Sequence, residues 1–454
     1  MAQTGAAAVS AEMDQALDRL PIGAYQIRVA LLCGVIAMLD GFDTQSAAFI
    51  APVLGKLWAI GPEHFALIFA ASLVGIMLGQ ITLGPLADRY GRRPVVLLCT
   101  VWFALGSLAT ALAHDWVTLL ALRFVTGIGL GGATPNIIAL TAEFSPPRAR
   151  STMITTMFAG FPLGAAIGGY ISSLMIPTLG WQSVFVLGGI VPLALLVVLL
   201  VALPESPHFL SSNGRHGEQL ARILKRLFPA GAVPDLRFAS HDAASHAKVT
   251  ATPRMSIRAG LFGTGRSTMT LLLWLAYFNS LLMIYFLMNW LPTVVRQGGL
   301  ALDTAIISSV FLNLGGALGG ILLGRLSDNF GAFKVLALGY AVAGVSLVLI
   351  GQVNQATTLL MTLAFVAGLT TIGGQTAMNA AATTLYPASV RATALGAALA
   401  VGRVGSILGP AVGGLLLASQ WSIPAVFIAV AVPALLTSIT AVLLIRYRGT
   451  SVAE

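Results

Sequence analysis

Charge is the scarcest commodity in this chain of 454 residues. Asp, Glu, Lys and Arg together make up 9% of it, whereas a soluble domain carries about 25%. That deficit excludes a soluble enzyme or a soluble binding module. Cysteine is also rare. Cys33 and Cys99 are the only two, and both fall in apolar runs, which excludes a disulfide framework. The six histidines show no metal-ligand spacing. No nucleophile, metal or nucleotide constellation is present, so the chain is not read as an enzyme and no cofactor is expected. Gly127-Ile-Gly129-Leu-Gly131-Gly132 matches G-x-G-x-x-G in form only. A dinucleotide site needs a preceding strand and a βαβ unit, and this stretch lies inside an apolar helix, where its glycines serve packing.

What the chain does have is apolar length. It is 57% hydrophobic with a mean hydropathy of +0.89, the composition of an integral membrane protein with many helical spans. We read twelve spans, at 28–50, 64–87, 94–113, 117–141, 151–175, 181–203, 267–295, 303–327, 333–352, 357–385, 390–419 and 422–446. The net charge of +9 could suggest a nucleic-acid partner, but its distribution excludes one. With the N-terminus inside, inner segments hold 21 of the 25 Lys and Arg, and outer loops hold only Lys56 and Arg296. Arg123 and Arg403 lie within spans. The positive-inside rule then makes both termini and the long 204–266 segment cytoplasmic, most simply in a bacterial inner membrane. The first 27 residues contain Glu12, Asp14 and Asp18, so no cleavable leader is expected there. The partners expected are the lipid bilayer and small solutes, with no obligate protein partner evident.

The sequence repeats. Gly84-Pro-Leu-Ala-Asp88-Arg89-Tyr-Gly91-Arg92-Arg93 follows span 2, and Gly324-Arg-Leu-Ser-Asp328-Asn-Phe-Gly331-Ala-Phe-Lys334 follows span 8. Arg150-Ser-Thr before span 5 returns as Arg391-Ala-Thr before span 11. The expected fold is therefore an all-α membrane protein of twelve transmembrane helices in two pseudo-symmetric six-helix halves. Residues 28–203 and 267–446 form the halves, 204–266 links them, and 1–27 and 447–454 are tails. Glycines at four-residue spacing mark close helix contacts. They occur at Gly75/Gly79, Gly160/Gly164/Gly168, Gly316/Gly320/Gly324 and Gly405/Gly409/Gly413, in every third span. On that recurrence, spans 2, 5, 8 and 11 are expected to be the helices that slide against one another where the halves meet.

These motifs resemble those of the major facilitator superfamily. Gly84–Arg93 is similar to its cytoplasmic signature, with a weaker copy at Gly324–Lys334. Arg123-Phe-Val-Thr-Gly127-Ile-Gly129 is similar to its span-4 motif, and Pro204-Glu205-Ser206-Pro207 is common there. More narrowly, Leu39-Asp40-Gly41-Phe42-Asp43, Gly132-Ala-Thr-Pro-Asn136, Asn289-Trp290-Leu-Pro292 and Arg403–Pro410 resemble the aromatic acid:proton symporters. The resemblance implies alternating access around a midplane site and import of a benzoate-type or hydroxyphenyl carboxylate together with protons. Aliphatic or sugar acids are an alternative cargo. A proton-driven drug exporter and a membrane acid sensor are further alternatives. The resemblance also implies a conformational latch at Gly84, Asp88, Arg89 and Arg92, weaker at Asp328, because Asn329 replaces Arg89 and Ala332-Phe333 replace Arg92-Arg93.

Asp40 and Asp43 sit deep in span 1, where a charge costs about 2.5–3.5 kcal/mol on translocon scales. At i and i+3 they share a helix face. At ~1.5 Å per residue, Asp40 lies about 18 Å and Asp43 about 22 Å from Arg28, while Arg403 lies about 18 Å up span 11. Arg123, about 9 Å inside the outer end of span 4, falls near the level of Asp43, and Arg403 near that of Asp40. Asp40, Asp43 and Arg123 are the candidate proton-coupling residues. For Arg123 a second role, pinning Asp43, stays open. Arg403 is the candidate carboxylate anchor, since a guanidinium suits bidentate carboxylate binding. Tyr285 and Asn289, four apart in span 7, Gln375 and Asn379, four apart in span 10, and Phe158 in span 5 are candidates to line the substrate cavity.

Overall fold

A computed structural model describes residues 22–212, 217–227, 262–263, 266–353, 356–382, 384–386 and 390–450. The expected tails and linker therefore lie outside the described residues over 1–21, 228–261 and 451–454. Among the described residues every element is helical. The N-terminal half contains α1 (Ala24–Leu57), α2 (Pro62–Tyr90), α3 (Arg92–Thr110), α4 (Trp116–Phe144), α5 (Arg150–Phe158), α6 (Gly160–Leu179) and α7 (Gln182–Ala202). α5 and α6 are one span interrupted at Ala159. The short α8 (Pro207–Ser212) and α9 (Gly217–Leu227) follow, so the front of the linker is helical and its apolar face is buried. The C-terminal half contains α10 (Arg266–Gln297), α11 (Leu302–Phe330), α12 (Ala332–Gln352), α13 (Thr357–Ala382), α14 (Arg391–Ala418) and α15 (Ile423–Thr450). Eleven helical stretches are long and apolar enough to cross a membrane. The remaining long helix, the 34-residue α1, carries both aspartates.

The repeated motif has a backbone reason. Gly91 joins α2 to α3 at φ +99°, and Gly331 joins α11 to α12 at φ +92°. Both conformations favour glycine. Glu205 caps the first of these turns, accepting the N–H groups of Arg92 (2.9 Å) and Arg93 (3.1 Å). At the other end of the half, Asp115 caps α4 by accepting from the Thr118 N–H at 2.8 Å. That bond holds its carboxyl below the ordinary carboxylate range.

Spans 2, 5, 8 and 11 do meet across the boundary, α2 on α14 and α6 on α11, but the glycine ladders are not the faces on which they meet. The ladders lie inside the halves and not between them. A Cβ at Gly75 or Gly79 would meet the carbonyls of Phe124 and Ile128 in α4, and Gly127 and Gly131 face Ser72 and Ile76 of α2 in return. Gly160, Gly164 and Gly168 face Gly34, Met38 and Phe42 of α1. In the second half, Gly316 and Gly320 face α13, and Gly405, Gly409 and Gly413 face α10. Gly324 has nothing within 4 Å. Four-residue spacing puts small residues on one helix face, and that face turns toward a neighbour in the same half.

Other faces of the same helices join the halves. α2 packs on α14, α6 on α11 and α1 on α10. Phe69 meets Trp290 edge-on at 5.4 Å, Gly414 lies against Pro62 and Ala66, and Gly169 lies against Val310. A polar clasp joins them: Gln45 donates to the Met288 carbonyl (3.3 Å), and Asn313 donates to the Gln45 amide oxygen (2.8 Å). All of these contacts lie toward the end of the bundle opposite the 204–266 connection. At the connection end, Asp88, Arg89 and Asp328 are exposed.

Candidate transport site

Two of the deep charges are locked together. Arg123 donates from Nη2 to Asp43 Oδ2 at 2.6 Å, and both side chains are 1% exposed. From Nη1 it also reaches Ser46 Oγ (3.0 Å) and the Asp43 carbonyl (3.3 Å). Its guanidinium lies 5.2 Å from the centre of the Phe185 ring, a favourable cation–π arrangement. Asp43 Oδ1 and Arg123 Nε have no partner among the described residues. The depth argument that put these two residues level is met.

Asp40 is held differently. Its Oδ1 accepts from the Thr44 hydroxyl at 3.2 Å and its Oδ2 from the Thr134 hydroxyl at 3.1 Å. No ion pair to it forms among the described residues. Arg403, in the other half, donates to the Tyr285 hydroxyl at 3.4 Å. Tyr285 and Ile407 of the C-terminal half pack against Leu39, Leu73, Ile76, Phe103 and Leu130 of the other. Leu39, next to Asp40 in sequence, and Tyr285, the partner of Arg403, thus share one cluster across the boundary between halves.

The span-10 amides join a network. Asn379 accepts from the Tyr277 hydroxyl (2.8 Å) and from Gln375 (3.2 Å). The Ser280 hydroxyl donates to Gln375 Oε1 at 2.7 Å and lies 2.5 Å from the Tyr340 hydroxyl. Sequence reasoning misses Tyr340, which sits in an otherwise apolar stretch with no polar residue at helical spacing, and Ser280, whose only polar neighbour at that spacing is Tyr277. Asn289 is buried and turns back to the Tyr285 carbonyl at 2.7 Å. Phe158 packs against a buried cluster within the N-terminal half, away from the Arg403 group.

The residues expected to form the latch are not engaged across the halves here. Arg92 Nη1 pairs with Glu143 at 2.6 Å, and Glu143 in turn accepts from the Ser206 hydroxyl. Arg89 lies over the neighbouring Tyr90 ring at 5.5 Å. Gly84 approaches only Pro135 of α4.

Comparison with known proteins agrees with this architecture. The family model of the Major Facilitator Superfamily matches residues 33–316 and 273–453. The chain is 40% identical to the 4-hydroxybenzoate transporter PcaK of Pseudomonas aeruginosa, covering 93% of each chain. It is also 40% identical to the gallate transporter of Pseudomonas putida, over 92% of this chain and 91% of that protein. Identity to the 3-(3-hydroxy-phenyl)propionate transporter of Escherichia coli is 36%, over 85% and 86%. Among solved structures, the inward open conformation of the xylose transporter XylE from E. coli superposes with a TM-score of 0.71 at 18% identity, over 92% of this chain and 95% of that one. An inward-facing, occupied bacterial homologue of the lysosomal transporter Spinster gives 0.70 at 17% identity, over 93% and 97%. The chain belongs to the Major Facilitator Superfamily, and it is a membrane transporter rather than an enzyme.

Proposed function

We propose that this transporter imports an aromatic carboxylate together with protons, by alternating access, with both termini on the cytoplasmic side. The observation that carries the reading is Arg403. It is a half-buried guanidinium at the boundary between halves, bonded to Tyr285, which packs on the cluster that holds Leu39 beside Asp40. An incoming carboxylate supplies the anion that Arg403 lacks. The Tyr285 ring offers an aromatic face, and the Gln375–Asn379 pair offers amides for ring substituents. The named substrates of the relatives, 4-hydroxybenzoate, gallate and 3-(3-hydroxyphenyl)propionate, share a carboxylate on a hydroxylated aromatic skeleton.

In this reading Asp40 carries the proton. It touches two hydroxyls and no fixed cation, so a proton can come and go without breaking an ion pair. Asp43 and Arg123 form a fixed, mutually neutralised pair beside it. The closed Gln45–Asn313 end is the outer gate, and the connection end with Asp88, Arg89 and Asp328 is open to the cytoplasm. Asp88, Arg89 and Arg92 then engage the other half only in the outward-facing state.

The test is uptake of radiolabelled 4-hydroxybenzoate, gallate, gluconate and lactate into proteoliposomes, with and without an inward proton gradient. The expected result is gradient-driven accumulation of the aromatic acids alone, lost in Asp40→Asn while counterflow exchange survives. Equal accumulation of gluconate would refute the aromatic reading. Unchanged accumulation by Asp40→Asn would refute the assignment of the proton.

A further inference from the structure

At the closed end of the bundle lies a cavity of about 480 Å³ that no part of the central mechanism uses. Its size is within the ~300–1,000 Å³ of small-molecule sites. Lys56 and Arg296 line it, together with Phe65, Trp290, Thr293 and Gln297. These two cations are the only Lys or Arg in the loops at this end, and they come from different halves: the last turn of α1 and the last turn of α10. A helix C-terminus favours a cation in each last turn. It does not bring both to one concavity without an acid.

No carboxylate among the described residues pairs with either cation. Arg296 spends one donor on the Leu300 carbonyl at 2.7 Å, which fixes the guanidinium and leaves its other N–H groups available. The acids nearest in sequence are Glu63 for Lys56 and Asp303 for Arg296; Glu63 lies 3.2 Å from His64 Nδ1, and Asp303 accepts from the Thr304 N–H at 2.6 Å. Thr293 adds a second, independent sign of a ligand. It is 9% exposed, lines the cavity, and its hydroxyl has no hydrogen-bond partner among the described residues. Phe65 and Trp290 give the cavity aromatic walls, and Trp290 is also the ring that closes against Phe69. Two unpaired cations, a spare hydroxyl and aromatic walls are complementary to one chemical class, a ring bearing a carboxylate.

We propose that this cavity is an entry site, which holds an aromatic carboxylate anion outside the closed gate before the central site opens to that face. The inference rests on the transport reading above, and it adds a second binding site that Arg403 does not form. Opening of the halves parts Lys56 from Arg296, so the site releases its anion as the path inward appears.

The test is protection of a cysteine placed at Gln297, an exposed lining position. Cys33 and Cys99 are both buried, so the added thiol is the accessible one. Spheroplasts carrying Gln297→Cys are treated from outside with a membrane-impermeant PEG-maleimide, with and without 4-hydroxybenzoate. The acid is expected to slow labelling several-fold, also when Arg403→Ala is added, whereas benzamide, of equal ring and no charge, gives no protection. Adding Lys56→Gln and Arg296→Gln is expected to abolish protection. Failure of Gln297→Cys to label from outside overturns the proposal, as does protection that vanishes with Arg403→Ala or appears equally with benzamide. If equilibrium binding of 4-hydroxybenzoate depends on Arg403 but Gln297→Cys labels at one rate throughout, the entry site is refuted and the central site stands. If the acid neither binds nor protects, both fall.

Discussion

Neutralising Asp43 alone separates the structural and coupling roles of the buried pair. Asp43→Leu leaves the Arg123 guanidinium, 1% exposed, with one hydroxyl and one carbonyl for partners. Removing one member of a buried ion pair costs about 3–5 kcal/mol, and a lone Arg at the centre of a span costs a comparable ~2.5–3.5 kcal/mol on translocon scales. At ~1.4 kcal/mol per decade, the folded-to-unfolded ratio falls by two to almost four orders of magnitude, a large part of a typical stability of about 5–15 kcal/mol. Arg123→Met is expected to cost a similar amount by stranding the carboxylate. The double variant Asp43→Leu/Arg123→Met removes both charges and also the two unpaired atoms, Asp43 Oδ1 and Arg123 Nε. Apolar replacement of a whole buried pair is often neutral or stabilising, so the double variant should return to within about 1 kcal/mol of wild type. Unfolding in mixed micelles, titrated with SDS and followed by tryptophan fluorescence, measures all four proteins. If each single variant stays within that margin, the pair is solvated and the burial argument fails. Proton-driven uptake then reads the second role. The double variant should still accumulate substrate, because Asp40 carries the proton. A stable double variant with no accumulation would instead make Asp43 the carrier.

Arg403→Lys keeps the charge and loses the planar fork, so affinity for 4-hydroxybenzoate measured by calorimetry should drop roughly tenfold or more, as a charge-assisted hydrogen bond of about 1.5–3 kcal/mol is lost; wild-type affinity in the lysine variant would make Arg403 structural. Gln45→Ala removes both hydrogen bonds of the clasp to Met288 and Asn313. It should move the outward/inward equilibrium by about 1–3 kcal/mol, or 5- to 150-fold, read as faster labelling of Thr44→Cys from outside. Gly164→Ala would set its Cβ into the Met38 backbone and should abolish folded protein, whereas Gly324→Ala meets nothing within 4 Å; this second variant should be tolerated and gain up to about 1 kcal/mol of helix propensity, visible as an unchanged or raised Tm.

The halves were legible because a glycine in the left-handed region is a local requirement, and Gly91 and Gly331 meet it at matching places. The Asp43–Arg123 pair was legible because helical rise converts residue number into depth, and two opposite charges at one depth in a low-dielectric core find each other. Depth also placed Arg403 level with Asp40, but level is not contact. Thr134 and Thr44 hold the acid, and Tyr285 holds the base. The ladders marked the helices that meet at the boundary but not the faces that meet, for a related reason. Their spacing defines a face, yet nothing in the spacing says which neighbour that face meets. Glu205 shows the same limit at a cap: Pro204-Glu205-Ser206-Pro207 stood out as a motif, while its bonds to Arg92 and Arg93 cross a gap of more than a hundred residues. The Gln45–Asn313 contact spans still more of the chain, and two isolated amides in apolar helices carry no periodic sign of each other. The conformation itself is a small difference in free energy between two packings, which no local pattern encodes.

A contact inside one half has the same energy in both states of a rocking bundle, so it cannot bias the exchange between them. That removes Asp43–Arg123, Arg92–Glu143 and the Glu205 cap from the coupling step, because every partner belongs to the N-terminal half or, for Glu205, to the start of the linker bonded to it. The contacts that cross the boundary include the Gln45–Met288–Asn313 clasp, the Phe69–Trp290 contact, and the packing of Tyr285, the partner of Arg403, on the cluster that holds Leu39 beside Asp40. At the central site, the charges along this boundary are Asp40 and Arg403. A carboxylate on Arg403 neutralises the base, and a proton on Asp40 neutralises the acid. With one ligand and not the other, the closing interface must bury a net charge, and desolvating an uncompensated ion costs several kcal/mol. With both, or with neither, the two groups and their ligands sum to zero and the interface can close. On the proposed reading, symport follows from which charges straddle the boundary and requires no direct contact between the proton and the substrate.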